Sequence, residues 1–133
     1  MKPRLSVVGK ASTASTAGKK LRGTRESAVE AYLVAELLAL RRAKIRVKVK
    51  KIAGWRGWPD RLALFDGGVA DWLEVKRPVG GKFEPLQLRT HDTLRGMGFT
   101  VVVVNTRELV DDYIAKVLVR ALVPSALKFA RRL

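Results

Sequence analysis

Val29, Leu33, Leu37 and Leu40 recur at spacings of four, four and three, the apolar stripe of an amphipathic helix. The spacing predicts a helix from about Glu26 to Arg41, with Thr24 as its cap. Glu30 stands three and seven residues before Leu33 and Leu37, which sets its carboxylate at the edge of the stripe. Residues 44–52 change to period two: Ile45, Val47 and Val49 face inward, and Lys44, Arg46, Lys48 and Lys50 outward. Gly54 to Pro59 reads as a loop, followed by a hairpin with arms Arg61–Phe65 and Val69–Lys76 and a turn at Asp66-Gly67-Gly68. Trp72, Glu74 and Lys76 share one face of the second arm, Leu73 and Val75 the other. Pro78 to Gly81 ends that arm, and Pro85 opens a helix reaching Arg95 or Met97. Phe99 to Val104, mostly β-branched, has the signature of a central strand. A last helical region begins near Arg107, with Pro124 interrupting it. The expected order is αβββαβα around one mixed β-sheet flanked by helices, an α/β fold.

Residues 1–22, small and basic with no acid, read as a flexible tail that tethers DNA or is simply disordered, ahead of a domain over 23–133. A chain of 133 residues, 47% hydrophobic, suffices for one core. Its 27 Lys and Arg against 12 Asp and Glu, a formal net charge of +15, call for a polyanionic partner. With no cysteine, disulfides, thiolate metal sites and cysteine nucleophiles are excluded, and a reducing cytosol is the natural setting. The one histidine, His91, leaves little for a zinc site or a Ser-His-Asp triad, and it reads as an exposed helix residue rather than a ligand. No apolar run approaches the roughly 18 residues of a membrane span, and residues at the start of the sequence lack the long apolar centre of a secretory signal. Any metal chemistry must then use carboxylates, which favour Mg²⁺ or Mn²⁺.

The hairpin supplies the carboxylates. Asp60 begins one arm and Glu74 ends the other, so antiparallel pairing brings the two together with Lys76. Two converging carboxylates repel unless one is protonated or a cation lies between them. Lys76 can orient a water or steady a phosphoryl group, and Glu30 can complete the shell, with Glu26 one turn earlier as its competitor. Plainer readings stand beside these: Asp60 as a turn residue, Glu74 and Lys76 as a surface ion pair, and Gln87 facing solvent. Trp55 and Trp58 either stack on a base or pack, whereas Trp72 packs. Tyr113 to Leu133, apolar and basic, serves as a dimer interface, as core packing or as a membrane-surface helix.

Gly57-Trp58-Pro59-Asp60-Arg61, then Leu73-Glu74-Val75-Lys76-Arg77-Pro78, then Leu86-Gln87 resembles the virus-type replication-repair nuclease (VRR-NUC) domain of the PD-(D/E)xK superfamily. The resemblance extends from about residue 24 to 115 and includes Val29-Glu30-Ala31-Tyr32-Leu33. It implies Asp60, Glu74 and the Val75 carbonyl as ligands of Mg²⁺ or Mn²⁺, with a further carboxylate from Glu30. It also implies Lys76 as the residue that positions or activates the attacking water, and Gln87 as support from the next helix. Small stand-alone members resemble phage proteins that resolve four-way junctions as homodimers. Two departures stand out: Arg41-Arg42 where many small members have Gly-Gly, and Glu84-Pro85 where Ser-Pro is usual.

The expected function is therefore a divalent-metal-dependent endonuclease cutting branched DNA, Holliday junctions included, in a bacterial or phage-infected cytosol. No membrane and no small-molecule cofactor are involved. Its 5′-phosphate products are implied by the resemblance alone. Lys44, Arg46, Lys48, Lys50, Arg56, Arg61, Arg77 and Lys82 are the expected DNA contacts. The alternatives are a monomeric flap or end nuclease, and a basic DNA-binding protein with a nuclease-like fold that does not cut.

Overall fold

A computed structural model describes residues 26–77 and 80–132, with side chains as far as 123. Thr24, the tail at 1–22 and the break at Pro78-Val79 lie outside the described residues. The first helix, α1, covers residues 26–39 and tightens into a 3-10 turn at Leu40–Ala43. Strands β1 (Val47–Lys51), β2 (Arg61–Phe65) and β3 (Val69–Val75) follow, then helix α2 (Pro85–Gly96), strand β4 (Thr100–Val104) and helix α3 (Arg107–Arg132). The expected αβββαβα order is the observed one.

The sheet runs β1-β2-β3-β4, antiparallel through the first three strands and parallel between β3 and β4. Register pairs Arg61 with Leu73 and Phe65 with Val69, so the hairpin closes through Asp66-Gly67-Gly68 as its turn residues require. One sheet face carries Val47, Ala63, Leu73, Val75 and Val104 against Val29, Leu33, Leu37 and Leu40 and against Val110, Ile114 and Val117 of α3. The other face is covered by α2, where Leu94 packs on Trp72 and Val101, with Trp58 and Leu62 beside them. β3 is therefore buried on both faces from Asp71 to Val75.

Three expectations are corrected. β4 is an edge strand and not a central one. Its valine run reflects burial by α2 and α3 on its two faces, which requires no second hydrogen-bonded neighbour. β1 begins at Val47 and not at residue 44, because the 3-10 turn uses up the preceding residues and ends at Lys44 in the left-handed conformation, φ 61°. α3 passes through Pro124 without ending, and the proline removes one backbone donor from an otherwise continuous helix. Among the described residues no helix is long and apolar enough to cross a membrane.

One ionic cluster ties α3 to the sheet. Asp71 is fully buried, accepts a 2.6 Å hydrogen bond from the Tyr113 hydroxyl, and is gripped by both Arg120 guanidinium nitrogens at 3.1 and 3.0 Å. Burial, then the Asp71 carboxylate, raises the Tyr113 hydroxyl pKa well above its ordinary value, so it stays a donor. Arg120→Met should lower unfolding stability by about 1–3 kcal/mol, below the usual cost of breaking a buried pair because Arg120 is partly exposed. Urea denaturation checks this; an unchanged midpoint would mean that apolar packing alone holds α3.

Candidate active site

The site forms where the hairpin opens. Asp60 precedes β2 and Glu74 sits one residue before the end of β3; the register that pairs Arg61 with Leu73 sets residues 60 and 74 side by side. Asp60 is fixed from two sides. Its backbone carbonyl accepts the Ile52 N–H at 2.8 Å, and its Oδ2 accepts the Val75 N–H at 2.9 Å. The loop before it is seated by Gly57, whose φ of +82° suits glycine; a Cβ there would lie 2.6 Å from the Leu86 side chain of α2.

Glu74 is buried, and α2 builds its surroundings. Gln87 Nε2 lies 3.4 Å from Glu74 Oε1, while Gln87 Oε1 accepts from Lys76 Nζ at 3.0 Å and from the Glu84 N–H at 3.1 Å. Gln87 thus closes a capping box with Glu84 and joins helix to site through one amide, with Pro85 in the first turn. Lys76 Nζ lies 3.6 Å from Glu74 Oε1, donates to the Lys82 carbonyl at 3.0 Å, and sits 4.7 Å over the Phe83 ring.

His91 is the residue that sequence reasoning missed. Expected on the surface, it is buried, with Nε2 3.4 Å from Glu74 Oε2 and the Phe83 ring edge-on at 5.9 Å. The signal was its place four residues after Gln87 and three before the buried Leu94, on the inward face of α2. Burial, with help from Arg95 and Lys76, lowers the imidazole pKa, so it is neutral.

The remaining predicted residues are less centrally placed. Glu30 Oε1 is held by Arg61, with Nε at 3.0 Å and Nη2 at 2.9 Å, so Arg61 faces a carboxylate rather than standing free for DNA. Glu26 lies 4.0 Å from the exposed Arg77. Arg56 and Lys82 are exposed. Arg46 is tied to Asp66 at 2.6 Å, and Lys48 and Lys50 point outward from β1. Trp58 and Trp72 pack as an aromatic pair 5.1 Å apart, with Trp55 against Trp58 at 4.9 Å.

Desolvation first and the Asp60 charge second push the Glu74 carboxyl up to about 8, outweighing Lys76. Both Glu74 Oε2 and His91 Nε2 are buried without a hydrogen-bond partner. Among the described residues no group of three His, Cys, Asp or Glu could hold a metal ion. Two carboxylates are nonetheless a donor set that Mg²⁺ accepts, because it keeps several of its waters. The repulsion between Asp60 and Glu74 and the unpartnered Oε2 both fit a hard cation at this point.

A mixed sheet flanked by helices, with two acids and a lysine where its hairpin opens, is the PD-(D/E)xK class of nuclease fold. Over 89 residues the chain is 36% identical to "Putative nuclease p44" of Acyrthosiphon pisum secondary endosymbiont phage 1, an alignment covering 67% of this chain and 91% of that protein. A solved VRR-NUC domain matches with a TM-score of 0.57 at 33% identity, covering 68% of this chain and 95% of that one. No family profile matches. The chain belongs to the VRR-NUC family of nucleases.

The raised Glu74 pKa has a pH consequence. Between about 4.5 and about 8 the folded carboxyl keeps a proton that the unfolded chain has lost, so unfolding releases a proton. Stability in EDTA should then fall as pH rises through that window and level off above it, by on the order of a few kcal/mol. Denaturation midpoints of wild type, compared with a Glu74→Gln variant that lacks this slope, check the sign.

Proposed function

We propose that this VRR-NUC protein is a divalent-metal-dependent endonuclease that cuts branched DNA, four-way junctions included, as a homodimer in a bacterial or phage-infected cytosol. One observation carries the reading: a buried carboxylate, Glu74, lies beside a second, Asp60, with an amine next to it and one oxygen unpartnered. A purely structural pair of acids in that position would cost stability and return nothing. Asp60, Glu74 and the Val75 carbonyl are the groups that would hold Mg²⁺ or Mn²⁺. The cation would supply Lewis acidity to the scissile phosphate and offset the charge that builds during displacement.

The chain's own residues supply the rest. Lys76 is an ammonium with three donors, two of them spent on Gln87 and the Lys82 carbonyl. The third, on an amine 3.6 Å from Glu74 Oε1, is assigned to orienting the attacking water and steadying the phosphoryl oxygens. Gln87 sets the direction of Lys76 and of Glu74 together. Both contacts of Arg61 to Glu30 fall on Oε1, leaving Glu30 Oε2 to reach a water at the margin of the site. Water adds at phosphorus, the P–O3′ bond breaks, and a 5′-phosphate and a 3′-hydroxyl result. Arg56, Arg77 and Lys82, exposed around this opening, are assigned to the DNA backbone. For the second copy we assign α3, where Leu118, Val119, Leu122 and Val123 are exposed and spaced as one apolar face.

Glu74→Gln and Lys76→Met should each cut cleavage of a synthetic four-way junction by about a thousandfold or more in Mg²⁺ or Mn²⁺, while binding in EDTA changes little. Parallel loss of binding would instead mark a structural role. Leu122→Glu, at a residue 67% exposed, should halve the solution mass in sedimentation and lower the urea midpoint only to the value that the wild type reaches on dilution. A monomeric wild type would favour a flap or end nuclease.

A further inference from the structure

Away from the paired acids, at the other end of the β1–β2 ribbon, cations gather around a second concavity. Arg41, Lys44, Arg46 and Lys48 line a cavity of about 570 Å³, with Leu64 and Phe65 among its other lining residues. Its one acid, Asp66, is already claimed: the Arg46 N–H donates to it at 3.1 Å and Arg46 Nε at 2.6 Å. These two bonds, backbone first, hold the Asp66 carboxyl below its ordinary range. Arg41 spends one nitrogen on the Val47 carbonyl at 3.3 Å. No acid among the described residues pairs with Arg41, Lys44 or Lys48. Lys44 is also the only described non-glycine residue with positive φ. Glycine would sit there with less strain, so this position keeps a charged side chain against a backbone preference.

We propose that this groove is a second phosphate-binding site, gripping the backbone of a DNA arm at a set distance from the cut. The inference rests on the nuclease reading above. DNA is favoured over an acidic peptide because the cations continue toward the acid pair. Pairing of Lys48 with Leu64 and of Lys50 with Leu62, and of Leu62 with Trp72, places both lysines on the sheet face that carries Glu74. Asp60 and Asp66 bracket β2 six residues apart, which at about 3.4 Å per residue is about 20 Å. A duplex advancing about 3.4 Å per base pair covers that span in about six base pairs. The groove therefore acts as a ruler: an arm shorter than about six base pairs reaches the acids and not the groove.

Lys44 and Lys48 have duller uses. A cation after a helix complements its dipole, and lysines on an edge strand discourage strand addition. Neither use depends on arm length, and the first concerns stability alone. The test is binding, in EDTA, of fluorescein-labelled forked DNAs whose hairpin-closed arm grows from about four to about twelve base pairs. Wild type should tighten roughly tenfold as the arm passes about six base pairs, with its salt slope steepening by about two phosphate contacts. Lys44→Gly should flatten that rise while leaving the shortest arm unaffected, and it should also raise Tm, which excludes misfolding. An arm-length rise as large in Lys44→Gly as in wild type, no rise in wild type, or equal weakening at every length would overturn the groove as a ruler. Mn²⁺-dependent cleavage of the same DNAs reports separately. Cutting without an arm-length rise sinks only the groove, and an arm-length rise without cutting sinks the nuclease reading.

Discussion

The molecule is organised around an unfavourable arrangement, a carboxylate buried next to another carboxylate. Glu74 occupies the central buried strand, Asp60 enters from the loop before β2, and burial first, with the Asp60 charge second, keeps the Glu74 proton bound near neutrality. Everything nearby is arranged to tolerate that pair. Val75 donates its N–H to Asp60, Gln87 and Lys76 approach one oxygen of Glu74, and neutral His91 lies against the other. The core on the opposite sheet face, made by α1 and α3, holds the hairpin rigidly enough for this to persist.

Helix α2 is the second determinant. Its first turn carries Gln87, the next His91, and the residue after its opening proline, Leu86, abuts the loop glycine that delivers Asp60. Cap, site and loop therefore meet at one helix end. A change at Glu84 or Gly57, remote from any phosphate, would be felt at the carboxylates through backbone position alone.

Much of this was legible in the sequence because it is local. The hairpin arms alternate, the turn is written in Asp66-Gly67-Gly68, and antiparallel pairing then forces residues 60 and 74 together. What was illegible depends on partners far along the chain. His91 lies in a polar stretch where its spacing from Leu94 is a faint signal, and its contact with Glu74 depends on β3, seventeen residues earlier. Arg61 looked like a free cation until α1 set Glu30 beside it. Lys44 gave no warning of its left-handed backbone, since glycine is the usual signal and none is present there. The valines of β4 record apolar cover on two faces and say nothing about which strands flank it.

The three tryptophans of the chain form one contiguous file, Trp55 on Trp58 and Trp58 on Trp72, running from an exposed ring to a buried one beside the acids. Intrinsic indole emission from this protein consequently originates in a single neighbourhood. It is an optical reporter, free of any label, of whether the loop that carries Asp60 is seated.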